Sequence, residues 1–244
     1  MRAVAILSGL ALLAACSVPT DILSGTPEPP PETWEQATTA AAAAYQAGRL
    51  RDAQDKLEAV RARAAAAGGS ELDLATSLSN LAMVQRAGGN QAEAIRLYLD
   101  ALAIRERVLS PNHPEVATTL NSLAAVHAAR DDYAAAQPLL LRALTIREQA
   151  LGASDRLTAH SLNNLALLYA AQTRFDVAEP LFRRAIAVFE GKHTDDLVIT
   201  LENYAALLGD SGRTREADEV ETRVHGLRAI AATGAAASAA TGHE

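Results

Sequence analysis

Aromatic side chains make up only 4% of this 244-residue chain, and cysteine occurs once. A single cysteine excludes an intrachain disulfide framework and a cysteine-rich metal site. Scarce aromatics leave Ala and Leu to carry an apolar content of 49%, a profile suited to close packing of helices through small side chains. There is no basic surplus: the net charge is −7, with both signs interspersed, so the electrostatic footprint of nucleic-acid binding is missing. The six histidines are scattered, none with metal-ligand spacing beside a carboxylate, and His127 falls on a packing position. No phosphate-binding glycine loop, nucleophile elbow or HExxH occurs. The sequence therefore points to no catalytic residue, metal, cofactor or small-molecule substrate.

What is present is repetition. Ala75, Leu78, Leu81 and Ala82 return 42 residues later as Ala117, Leu120, Leu123 and Ala124, then as Ala159, Leu162, Leu165 and Ala166. Ala94, Leu97, Ala101 and Glu106 return as Ala136, Leu139, Ala143 and Glu148, then as Ala178, Leu181, Ala185 and Glu190. A fixed period of this size marks a solenoid, whose units bury their apolar faces only by stacking on one another. Within one unit, Leu162, Leu165, Ala166 and Tyr169 form a helical stripe. After Gln172, Thr173 and Arg174, a second stripe runs through Phe175, Ala178, Leu181, Phe182, Ala185, Ile186 and Phe189. Two amphipathic helices joined by a tight turn make a helical hairpin. Gly191 and Gly152 are expected stops, with Thr194 or Asp195 as the cap after the first and Ser154 or Asp155 after the second. The outer units depart from the pattern. The first has Ala40, Ala41, Gly48, Ala53 and Leu57, and the last has Leu201, Tyr204, Ala205, Leu208 and Ala217. Glu221 stands where the good repeats have an aromatic or leucine, which suits an exposed terminal face.

The N-terminus reads as an address. Arg2 precedes an apolar run at residues 3–13, too short for a spanning helix of about 20 residues but suited to a signal peptide. Leu13-Ala14-Ala15-Cys16 resembles the lipobox of bacterial lipoproteins, which implies lipid on Cys16 and cleavage after Ala15. In that family Ser17 after the cysteine favours the outer membrane, so the expected location is the cell envelope, on the periplasmic face of that membrane. The expected organisation is a signal peptide at 1–15, a lipidated, proline-rich tether at 16–33, the solenoid at 34–226, and an alanine-rich, frayed tail at 227–244.

The order of Leu162, Leu165, Ala166 and Tyr169, then Ala178 and Phe182, resembles the tetratricopeptide repeat. The unit is longer than that family's usual 34 residues. Ser161-Leu162-Asn163-Asn164-Leu165-Ala166 and Ala178-Glu179-Pro180-Leu181 are similar to the repeats of kinesin light chain and its bacterial relatives. The resemblance covers residues 34–223 and implies an all-α, right-handed superhelical solenoid of about five hairpins, the outer two degenerate. In such folds the first helix of each hairpin lines a concave groove. Residues one step off the packing stripe are then expected to face it: Thr76, Ser79, Asn80 and Met83; Thr118, Asn121 and Ser122; His160, Asn163, Asn164 and Leu167; and Asn203. Short amides and hydroxyls both donate to and accept from an extended peptide backbone, as asparagines do in the kinesin light chain family. Capping or solubility is the alternative use of such residues. Arg105, Glu106, Arg107, Arg142, Arg147 and Glu148 on the second helices read as a solvated face. The expected function is a membrane-tethered scaffold binding a protein or extended peptide. The alternative is a pilotin-like assembly factor for an envelope secretion or pilus complex.

Overall fold

The computed structural model describes residues 34–66 and 70–241, so the expected signal peptide, Cys16 and the expected tether lie outside the described residues. The chain divides between Asp132 and Tyr133 into two compact units. The N-terminal unit holds α1 (Trp34–Gln46), α2 (Leu50–Ala66), α3 (Glu71–Ala87), α4 (Gln91–Leu109) and α5 (Pro114–Ala128). The C-terminal unit holds α6 (Tyr133–Leu151), α7 (Arg156–Ala171), α8 (Phe175–Phe189), α9 (Thr194–Asp210) and α10 (Thr214–Thr241). Within the first unit, α1–α2 and α3–α4 pair as hairpins, with α2 on α3 and α4 on α5. Within the second, α7–α8 and α9–α10 pair, with α6 on α7 and α8 on α9.

Local chemistry sets the helix boundaries. Ser70 and Asp73 form a reciprocal capping box at α3, satisfying two otherwise open backbone donors. Pro114 opens α5 behind His113, and Asp155 caps α7 through the Leu157 amide at 2.7 Å. Among the described residues, the short turns that follow the first helices each place one residue in the left-handed region: Gly48, Gly89, Asp131, Thr173 and Gly212. The amide after each donates to a carbonyl five residues back, as Asn90 does to Gln85 and Arg174 to Tyr169, closing a Schellman motif. The last turn bonds Arg213 to Leu208, a step of 39 residues from Arg174, because α8 has 15 residues where α4 and α6 have 19.

Alanines with no exposed surface (Ala75, Ala94, Ala117, Ala136, Ala159 and Ala178 among them) let helices approach closely, while Leu81, Leu97, Leu120, Leu123, Leu162 and Leu165 fill the core. Within the segment expected to fray, α10 continues to Thr241. One expectation gives way. Arg105 and Arg147 do not belong to a solvated face: they are 7% and 4% exposed. Each guanidinium reaches back between helices, where hydroxyl and carbonyl oxygens replace water.

Candidate protein-interaction face

In the N-terminal unit, the residues expected to meet a partner divide into those spent internally and those left open. Thr76 and Ser79 each donate to the carbonyl four residues back at 2.9 Å and accept from Arg105. Arg105 also donates to Thr119 of α5 at 2.7 Å, and its Nε faces Glu115 at 3.4 Å. These two hydroxyls therefore hold α4 in place. Burial holds the Arg105 guanidinium below its ordinary proton affinity, with Glu115 opposing that effect. Ser122 hydrogen-bonds the buried phenol of Tyr98, which burial pushes up. Asn121 is 8% exposed, and Thr118 is exposed with its hydroxyl on the Pro114 carbonyl. Asn80 and Met83 remain half-buried on α3, and Asn80 makes no side-chain hydrogen bond among the described residues.

In the C-terminal unit, the Asn203 Nδ2 donates to Asn163 Oδ1 at 3.2 Å, tying α9 to α7. Asn163 is itself 7% exposed. Asn164 is half-buried and, like Asn80, makes no side-chain hydrogen bond among the described residues. Leu167 is buried and serves the core, where Met83 and Ala125 at the same register are only half-buried. His160 packs its ring 5.2 Å from Phe189, with Nε2 3.5 Å from Asp196 Oδ1. Burial lowers its proton affinity most, Asp196 raises it, and Arg156, Arg147 and His193 lower it further. Asp196, 3% exposed, is gripped by both arms of the Arg156 guanidinium.

The sequence reading missed the arginines that join one hairpin to the next. Arg147 donates to Ser161 Oγ and to the Leu157 carbonyl, both at 2.9 Å, and burial pulls it down to about 10. Its place in α6 matches Arg105 in α4, and Ser161 matches Thr119. A hydroxyl 14 residues after an arginine, repeated at the period, is the signal that marks this joint. In the next repeat the arginine gives way to Phe189, fully buried.

The arrangement offers amides and hydroxyls along the first helices and ion pairs along the second. Among the described residues no group of three metal-ligating side chains occurs, and no helix is long and apolar enough to cross a membrane. The tetratricopeptide repeat pattern matches residues 35–107, 73–149, 115–191 and 157–228. No curated protein matches in sequence. Among solved structures the chain is similar to BtubC (BKLC) from P. vanneervenii, at 25% identity over 80% of each chain with a TM-score of 0.71. A putative kinesin light chain with nearly identical TPR-like repeats from Podosopora anserina is 23% identical over 82% of this chain and 96% of that one, with a TM-score of 0.68. A Rap protein complexed with Competence and Sporulation Factor matches at 16% identity, 80% of this chain and 54% of that one, with a TM-score of 0.69. With its repeats running from residue 35 to 228, this chain belongs to the tetratricopeptide repeat family.

Proposed function

We propose that this chain is a non-enzymatic scaffold that holds an extended segment of a partner protein along its first helices, tethered to a bacterial envelope membrane through lipid on Cys16. One observation carries the binding reading. Asn80 and Asn164 occupy the same register on α3 and α7, half-buried and without side-chain partners among the described residues. A neutral amide held in that state both donates and accepts, so it can pair with a peptide unit without the cost of burying an unpaired charge. The Rap protein, of the same fold, is complexed with Competence and Sporulation Factor, which supports reading this chain as a binding scaffold. The tether rests on the sequence motif at residues 13–16.

The test compares partner capture from an envelope extract by wild type, by Asn80→Ala with Asn164→Ala, and by a control altered at the exposed Arg96 and Arg183 of the second helices. Two hydrogen bonds of ordinary worth predict about a tenfold loss for the asparagine pair, with an unchanged melting temperature. Loss of the partner by the arginine control alone places the binding face on the second helices instead. For the anchor, Cys16→Ser is expected to abolish palmitate incorporation, and an unlabelled wild type overturns it.

A further inference from the structure

In three successive repeats, one stripe of the second helix is covered by the first helix of the next hairpin. On α4 the stripe is Tyr98, Ala101, Leu102 and Arg105, all buried. Its arginine bonds Thr119 of α5. On α6 it is Leu140, Ala143, Leu144 and Arg147, again buried, with the arginine on Ser161 of α7. On α8 it is Phe182, Ala185, Ile186 and Phe189, where the Phe182 ring lies 6.1 Å from that of Tyr204 on α9. The 39-residue step of the last hairpin carries this stripe onto Glu221, Val224, His225 and Arg228 of α10.

Those four residues, with Glu202 and Ala205 of α9, line a depression of about 180 Å³. The volume is too small for a typical ligand pocket of about 300–1,000 Å³ but fits one inserted side chain. Arg228 stands at the register of Arg105 and Arg147, yet it folds back onto Glu202 at 2.5 Å and its side chain is 58% exposed. Glu221 and His225 are exposed and have no hydrogen bond or ion pair among the described residues. The terminal face therefore keeps the arginine of the inter-repeat joint while carrying charge where the inner repeats carry leucine or aromatic rings. A permanently stacked apolar helix does not suit it. A reversibly docked one does.

We propose that this end of the C-terminal unit docks an amphipathic helix of a partner protein, which takes the place a further first helix would occupy. The helix presents a Ser or Thr hydroxyl to Arg228, as Thr119 does to Arg105 and Ser161 to Arg147. Alongside it, a Lys or Arg meets Glu221 and the Glu202 carboxylate that Arg228 releases. Small side chains face Ala205 and Val224. The surface is continuous with the stacking interface already seen within each unit, and its two carboxylates favour a basic helix over an acidic one. It lies on α9 and α10, apart from Asn164 on α7 of the same unit.

The probe is a fluorescently labelled, lactam-bridged peptide copying α7, whose Ser161 already serves such an arginine; bridging is needed because isolated short helices are marginal in water. Anisotropy titrations against the full chain are expected to show saturable binding. Arg228→Ala weakens it about threefold to tenfold, as does Ser161→Ala in the peptide, and the two losses do not add. Glu221→Lys also weakens it, while the Asn80 and Asn164 variants leave it unchanged. Circular dichroism confirms that the variants fold, and Arg228→Lys, which keeps the charge but not the fork, is expected to fall between wild type and Ala. Absence of saturable binding, or binding indifferent to Arg228, overturns the proposal. So does loss of binding in the asparagine variants, which would place the peptide on the first helices. Concentration-dependent self-association that Arg228→Ala abolishes would replace the partner helix with a second copy.

Discussion

The joint between α4 and α5 and the joint between α8 and α9 solve one packing problem with opposite chemistry. In the first, Arg105 lies buried among Ser79, Thr76 and Thr119, with Glu115 beside it. In the second, Phe189 occupies the same register, and His160 and His193 lean on its ring. The cation has moved to the rim, where Arg156 holds Asp196. What the two share is the small-residue framework, Ala101 in one and Ala185 in the other, both without exposed surface. The stacking geometry is set by those alanines, and the residue at the joint decides only how each joint responds to mutation and to pH.

The largest expected difference comes from truncation. Phe189→Ala removes a fully buried ring and is expected to cost about 3–5 kcal/mol, read from chemical denaturation. Arg105→Ala leaves hydroxyls that retain their own helix carbonyls, so its cost is expected near 1–3 kcal/mol. Equal losses would mean that the guanidinium stem, not its hydrogen bonds, fills the first joint. Arg105→Met sharpens the comparison, since an apolar side chain of similar length is expected to be close to neutral there, as burying a cation has a desolvation cost that its hydroxyl partners and the Glu115 carboxylate offset only in part.

Acid supplies the smaller effect at the second joint. The His160 ring is held below its ordinary proton affinity, chiefly by burial. The unfolded chain takes up the proton as pH falls through about 6.5, before the folded chain does. Its contribution to stability is therefore complete above that pH and declines as pH falls below it. Melting curves between pH 7.5 and 5 are expected to show a decline in wild type that His160→Gln reduces, with Asp196 and Arg156 unchanged. An identical decline in the variant would assign the acid response to other groups.

The sequence period was enough to read the hairpins, the alanine and leucine core and the turn positions, because each rests on spacing along a helix. The candidate face was only partly legible. A residue's place on a helix says which way it leans but not what reaches it from the next helix. Thr76 and Ser79 sit one step off the apolar stripe, yet Arg105 arrives from α4 and occupies them. Asn163 is met by Asn203 from α9, and His160 by Phe189. Asn80 and Asn164 stay open because no long side chain of the described residues reaches their amides. Arginine was misread for the same reason: its charge argues for water, but its length lets it find oxygen partners under cover.

The left-handed turns carry a consequence of a different kind. A built Cβ at Gly48, Gly89 or Gly212 meets nothing within 4 Å, so an L-side chain there is opposed by backbone handedness alone. Asp131 and Thr173 adopt the same left-handed geometry with an L-side chain in place. Mirror-image residues prefer that geometry, so D-alanine at the three glycines would match the backbone handedness while narrowing the freedom of the unfolded state. In this fold the tightest bends are the places where chirality, rather than space, selects the residue.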